Sequence, residues 1–320
     1  MREMALREAL TQTLETLAQR RGDLVVLTSD ATGSASLDGF AERCPERLIE
    51  MGIAEQNEIS VAAGLSTCGF TPFVCAPAAF LTTRALEQLK VDVDYSDTNV
   101  KIIGISGGVS YGATGATHHA TSDLAGTLGL DRLTVLLPAD AVQMAALVQQ
   151  MADTWGPFYV RIGRNPVPVL YGEGESFPIG KAKLLRDGED LTILSAGEVL
   201  FHALQAAEIL AARGISARVL DLYSVKPIDT EAILTAARQT GRLLVAEEHN
   251  TKGGIGSLVC QIVAGTCCGV PVRCLGIPTG HAIAGTSAEL FHYYGLDAEG
   301  IARAAQTLVG APTPLSAAAQ

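Results

Sequence analysis

RLIEMGIAEQNEISVAAGLSTCGFTPFVCAP, residues 47 to 77, reads as strand, helix, strand. RLIEMGI and FTPFVCAP are short apolar runs, and Glu55 to Cys68 between them is an alanine-rich segment with the spacing of a helix. Two such runs joined by a helix form the right-handed crossover of a parallel sheet. Open α/β sheets carry their chemistry at the carboxyl ends of the strands. Glu55 stands at such an end, in the first turn of the helix, where amide dipoles favour negative charge whether or not a ligand is present.

The same rhythm extends in both directions. Residues 3 to 20 place Leu6, Leu10, Leu14 and Leu17 on one helical face, RRGD reads as a turn, and LVVLTSD (24 to 30) as a buried strand ending in polar residues. Downstream come a helix over Phe80 to Asp94, the strand NVKIIGIS (99 to 106), a Gly-rich loop running to Asp123, the strand LTVLLPAD, a helix over Ala141 to Ala152 and the strand PFYVRIG. The strand ends then carry Asp30, Glu55, Ser106 and Arg161. NPVPVLYGEGESFPIGKAKLLRDGE, with three prolines, reads as a linker. Beyond it LTILSAG, ARVLDLYS, LLVAEEH and VRCLGIP are four more strands, with helices at 198 to 213, 229 to 240 and 254 to 265 between them and a last helix at 297 to 309. The expected fold class is α/β in two domains, each a mostly parallel sheet flanked by helices. The expected boundaries are a first domain at 1–165, a linker at 166–189, a second domain at 190–311 and a frayed tail at 312–320. No repeat relates the two halves.

At 320 residues, with 48% hydrophobic and 18% charged residues, the chain has the makings of two ordinary cores. Its net charge of -11 argues against nucleic acid as a partner, because phosphates call for a basic face. Seven cysteines without a CxxC pair indicate neither a disulfide framework nor a zinc site. The first 22 residues are too polar for a signal peptide and no apolar run reaches membrane-spanning length, so the expected location is the cytoplasm, with no membrane association.

Six motifs in order, GIAEQN (52 to 57), FLTTRALEQL (80 to 89), GATHH (115 to 119), FYVRIGR (158 to 164), KPID (226 to 229) and VAEEHNTKGGIGS (245 to 257), carry a resemblance that covers nearly the whole chain. It resembles the C-terminal half of transketolase, and in particular the separate small subunit of two-chain transketolases. The resemblance implies thiamine diphosphate as cofactor. Glu55 matches the carboxyl that bonds the pyrimidine N1' and promotes the imino tautomer, and burial against an apolar wall is expected to let it share a proton near neutral pH. Phe80 matches the ring laid against the aminopyrimidine, and Pro77 stands where members often have a second Phe. His118 matches the histidine that approaches the reacting carbons. Arg161, with Ser34 as helper, matches an arginine that grips a sugar phosphate, and Arg164 competes for that part.

Two positions depart from the family pattern. Thr114 replaces an Asp that reads a substrate hydroxyl, and Ser106 replaces a phosphate-contacting His, which implies a specialised substrate. In the family the second domain buttresses assembly, so Glu247, Glu248 and His249 are expected in packing and interface contacts. The chain lacks the GDG and downstream Asn that hold Mg²⁺ and the diphosphate. The resemblance therefore implies an N-terminal-type partner subunit that carries Mg²⁺, in an α₂β₂ assembly whose small subunits pair with each other. The implied reaction moves a two-carbon ketol unit from a ketose to an aldose. Transfer or decarboxylation of a 2-oxo acid, and a non-catalytic regulatory subunit, are the alternatives.

Overall fold

The computed structural model describes residues 2–280 and 283–310; the expected tail at 312–320 lies outside them. The strands in chain order are β1 (Glu3–Ala5), β2 (Leu24–Thr28), β3 (Leu48–Glu50), β4 (Thr71–Pro77), β5 (Lys101–Ile105), β6 (Thr134–Leu136) and β7 (Phe158–Arg161), followed by β8 (Pro166–Pro168), β9 (Lys183–Arg186), β10 (Leu191–Ser195), β11 (Ala217–Asp221), β12 (Ser224–Lys226), β13 (Leu243–Asn250) and β14 (Val272–Ile277). They form a seven-stranded sheet in the order β12-β6-β7-β5-β4-β2-β3, a five-stranded sheet in the order β14-β13-β10-β11-β9, and the small pair β1-β8. Both larger sheets are parallel except at one edge, where β12 and β9 run antiparallel to their neighbours.

Apolar faces explain the layering. Leu6, Leu10 and Leu14 of the first helix, with Met144, Leu147 and Val148 of helix Ala141–Asp153, cover one face of the first sheet through Val26, Phe73, Ile103 and Val160. Ile59, Ala62 and Ala63 of helix Glu55–Thr67 cover the other through Val25, Leu27, Val74 and Ile102. That second core continues into Leu194, Leu220, Leu243 and Val245 of the second sheet, so the two halves share buried apolar surface. Each fully buried leucine contributes about 1.5–3 kcal/mol by its removal from water.

Three local expectations change. The linker tract is structured: β8 pairs with β1 from Glu3↔Pro168 to Ala5↔Pro166, and β9 is the edge of the second sheet. ARVLDLYS divides, with β11 in the second sheet while β12 crosses to the first. The helix expected over Phe80 to Asp94 breaks into Ala78–Thr83, Leu86–Gln88 and a π-helical turn Leu89–Tyr95. The last turn is pinned because the Asp94 carboxylate accepts the amides of Asp131, Arg132 and Leu133. A helix at Ser287–Tyr294, which the strand-and-helix reading passes over, starts with a Thr286/Glu289 capping box.

Candidate active site

Ala54 leaves the extended chain and Glu55 opens the helix, with its side chain 2% exposed. The carboxylate does not face only apolar atoms. Arg84 donates from Nη1 to Glu55 Oε2 at 2.6 Å, a cation where an apolar wall is expected. The Arg84 guanidinium also lies over the Phe80 ring, 4.8 Å from its centroid. Phe80 packs on Ala78, Ala79 and Ala120, and the buried Pro77 ends β4 just before it. The small alanines back the half-buried ring, and Arg84 links it to the carboxylate.

From Phe80 the track continues without a break. Its ring meets His118 edge-on at 5.2 Å, and His118 meets Tyr111 edge-on at 5.1 Å. The His118 Nδ1 is 2.9 Å from Thr117 Oγ1. Arg164 lies over Tyr111 at 5.2 Å. Arg7 then donates from Nε to the Arg164 carbonyl at 3.1 Å and from Nη1 to the Ser34 carbonyl at 2.9 Å. Burial and the charge of Arg164 pull the Arg7 guanidinium below its ordinary value. Two guanidiniums this close, with no ion pair to a carboxylate at either among the described residues, favour an anion between them.

Thr114 is exposed at the end of a 3₁₀ turn, Gly112–Thr114, on the loop that carries His118. Ser106 is buried below the loop at φ +54°, and its Oγ has no hydrogen-bond partner. Behind the helix start, Ser29 Oγ donates to Glu58 Oε2 at 2.5 Å, and burial pushes the Glu58 carboxyl up to about 8.

Arg161, expected to grip a sugar phosphate, does not join this track. Its side chain is 5% exposed, with Nε 3.5 Å from Asp123 Oδ2 and Nη2 3.6 Å from Glu248 Oε2. Nη2 also donates to the Glu248 carbonyl at 2.5 Å. Burial works against this charge, and Asp123, Glu248, Tyr159 and Glu247 together more than offset it, so its pKa is raised. The guanidinium is committed to carboxylates in the seam between the domains, whereas Arg164, three residues on, is partly open.

The second-domain acids are likewise turned to the backbone. Glu247 accepts the amides of Ile255 and Gly256 at 2.7 and 2.9 Å, and a Cβ at Gly254 would sit 2.2 Å from Glu247 Oε2. The GGIGS turn therefore wraps a carboxylate of its own chain, the anion that such a helix start favours. Glu248 reaches back to the first domain and accepts the Val109 amide at 2.7 Å.

Arg7, Tyr111 and Arg84 are the members of the track that the motif reading leaves out. Arg84 had a signal, since it stands four residues after Phe80 on the same helical face. Arg7 and Tyr111 had none, because only the fold brings residues 7, 34, 111 and 164 together.

Among the described residues no group of His, Cys, Asp and Glu side chains is arranged to hold a metal ion. A carboxylate at a helix start, an aromatic ring and an alanine wall fit the pyrimidine half of thiamine diphosphate.

Two family models match the chain, "Transketolase, pyrimidine binding domain" over residues 2–169 and "Transketolase, C-terminal domain" over residues 180–301. The chain is 47% identical to one of the subunits of the apulose-4-phosphate transketolase of Phocaeicola vulgatus, over 96% of this chain and 98% of that one. It is 37% identical to the 6-deoxy-6-sulfo-D-fructose transketolase subunit SqwH of a Clostridium species, over 95% and 94%. Its fold superposes on a split-gene transketolase solved as an inactive β4 tetramer with a TM-score of 0.86 at 38% identity, covering 96% of this chain and 98% of that one. The chain belongs to the transketolase family, as a small subunit of the split type that carries the pyrimidine-binding and C-terminal domains of a transketolase-type transferase.

Proposed function

We propose that this subunit, with a partner, transfers a two-carbon ketol unit from a ketose with an anionic end to an aldose acceptor. The observation that carries the proposal is the unbroken track from Glu55 through Arg84, Phe80, His118, Tyr111 and Arg164 to Arg7 and Ser34. It sets a carboxyl and a flat wall at one end and two unneutralised guanidiniums at the other. When bound, thiamine diphosphate supplies the nucleophilic carbon that accepts the ketol unit.

Glu55 holds the proton at the pyrimidine N1', and Arg84 keeps its carboxylate aimed there until the ring takes its place. Phe80 and Pro77 exclude water from one face and orient the ring. His118 gives and takes a proton at the substrate's hydroxyl and carbonyl oxygens. Thr114 offers a hydroxyl to the sugar chain, and Arg7, Arg164 and Ser34 hold its anionic end. The names of two similar proteins contain one sugar phosphate and one sulfo sugar, both anions that this arginine pair suits.

The Mg²⁺ and diphosphate side belongs to an N-terminal-type partner, in an α₂β₂ complex whose small subunits pair. The chain divides near residues 165, 189 and 311, with β8 of the intervening tract paired to the first domain and β9 to the sheet of the second. The cytoplasm is the proposed location; among the described residues no helix is long and apolar enough to cross a membrane, and all seven cysteines are free. Reconstitution with the partner and Mg²⁺ tests the proposal: ketose phosphates and sulfonates are expected to yield a sugar lengthened by two carbons. Turnover of pyruvate in their place would establish the 2-oxo acid reading instead.

A further inference from the structure

We propose that Glu248, which the second domain contributes, is a positioning residue for ketol transfer, holding the loop that presents Thr114 and His118. The proposal rests on the function just given. It is carried by the way the loop is tied at its base.

The loop closes on itself where Gly108 and Ala120 exchange backbone hydrogen bonds of 3.2 and 2.8 Å. Tyr111, Thr114, His118 and His119 lie inside that noose. Nε2 of His119, 3.0 Å from the Gly112 carbonyl, donates to it and braces the interior. Both legs of the base are gripped by consecutive parts of one strand, β13. Glu248 Oε1 takes the amide of the fully buried Val109 at 2.7 Å on the first leg, and the Asn250 amide donates to the Thr121 carbonyl at 2.8 Å on the second.

The loop sequence is fitted to this grip. A Cβ on Gly108 would lie 2.1 Å from Glu248 Cδ, and one on Gly107 would lie 2.4 Å from Arg161 Nε. Only a glycine pair admits the carboxylate and guanidinium beneath it, and Gly108 at φ +58° has the left-handed backbone that glycine tolerates best. Arg161 in turn holds Glu248 through its carbonyl and carboxylate. The second domain thus determines where the reacting histidine stands, although none of its own side chains joins the track.

Two substitutions separate position from charge. Glu248→Gln keeps an oxygen in reach of the Val109 amide, whereas Glu248→Asp keeps the charge beside Arg161 and withdraws the oxygen by one carbon. Both are made in the complex reconstituted with the partner subunit. The readouts are hydrogen exchange of the peptide spanning 109–118, steady-state kinetics with a phosphorylated ketose, and thiamine diphosphate affinity. The aspartate variant is expected to exchange in this peptide about tenfold faster and to lose about tenfold in kcat, with cofactor affinity within about twofold. The glutamine variant is expected to recover both to within about threefold of the parent. Equal exchange in the parent and the aspartate variant overturns the proposal, and so does a glutamine variant as impaired as the aspartate one. A parent complex inactive on every ketose overturns the functional reading instead, and the exchange comparison still decides whether Glu248 holds the loop.

Discussion

Arg84 donates to Glu55 across 2.6 Å, and the two are unequally placed: the Arg84 side chain is 46% exposed and that of Glu55 2%. Because Arg84 also covers Phe80, one cation orders both the carboxylate and the ring proposed to meet the cofactor. Its outer side remains open to solvent, so it can yield its place to a ligand.

Arg84→Met tests that ordering. An ion pair with one exposed partner contributes about 1 kcal/mol, so kcat/KM is expected to fall roughly fivefold while assembly is unchanged. Equal kinetics in the two proteins would show that Arg84 only covers the free site.

The arginine pair makes a separate prediction. Arg7→Ala and Arg164→Ala each remove one charge-assisted contact proposed for the substrate's anionic end. KM for a phosphorylated or sulfonated ketose is expected to rise tenfold to hundredfold, corresponding to about 1.5–3 kcal/mol, with a smaller change in kcat. A ketose without the anionic group should be insensitive to both substitutions, and equal losses on both substrates would remove the pair from the anion site.

Arg161→Met should behave differently. It leaves Asp123 and Glu248 buried without their cation, at a cost of about 3–5 kcal/mol. A large drop in the urea midpoint is expected. Normal stability with a raised ketose KM would return Arg161 to the substrate site.

Burial of Glu58 gives a pH dependence with a definite sign. Burial is the main cause that raises its carboxyl from 4.5 to about 8, with the Ser29 hydrogen bond opposing and the charges of Glu55 and Glu50 adding. Between these values the folded chain holds a proton that the unfolded chain releases, so stability falls as pH rises. The contribution is complete below about 4.5 and lost as pH passes about 8. Glu58→Gln keeps a neutral side chain at every pH. In thermal melts it is expected to gain several degrees at pH 8.5 relative to the parent and nothing near pH 4.5. A constant difference across that range would mean that Glu58 is ionised in the fold.

The parallel sheets could be read in advance because buried strands are short apolar runs, as in LVVLT and KIIGI, and because helix faces such as Leu6, Leu10 and Leu14 repeat at helical spacing. Pairings between distant segments could not. β12 joins β6 and β8 joins β1 through three-residue strands whose partners lie far away in sequence, so no local pattern announces them. Within the site, Glu55 and Phe80 were accessible through motif and helix position. The choice between Arg161 and Arg164 was not, because FYVRIGR says nothing about which guanidinium meets Asp123 in the seam. The Thr286 capping box was a readable signal for the helix at 287, and Arg7 had no sequence signal at all.

The most direct test of the central claim, that Glu55 and its track form half of a ketol-transfer site, is Glu55→Gln in the complex reconstituted with partner, Mg²⁺ and thiamine diphosphate. Turnover of a phosphorylated ketose is expected to drop by at least about a hundredfold, because the proton held at N1' is lost, while the assembly and the amount of bound cofactor stay the same. Unchanged turnover in the glutamine variant would contradict the account.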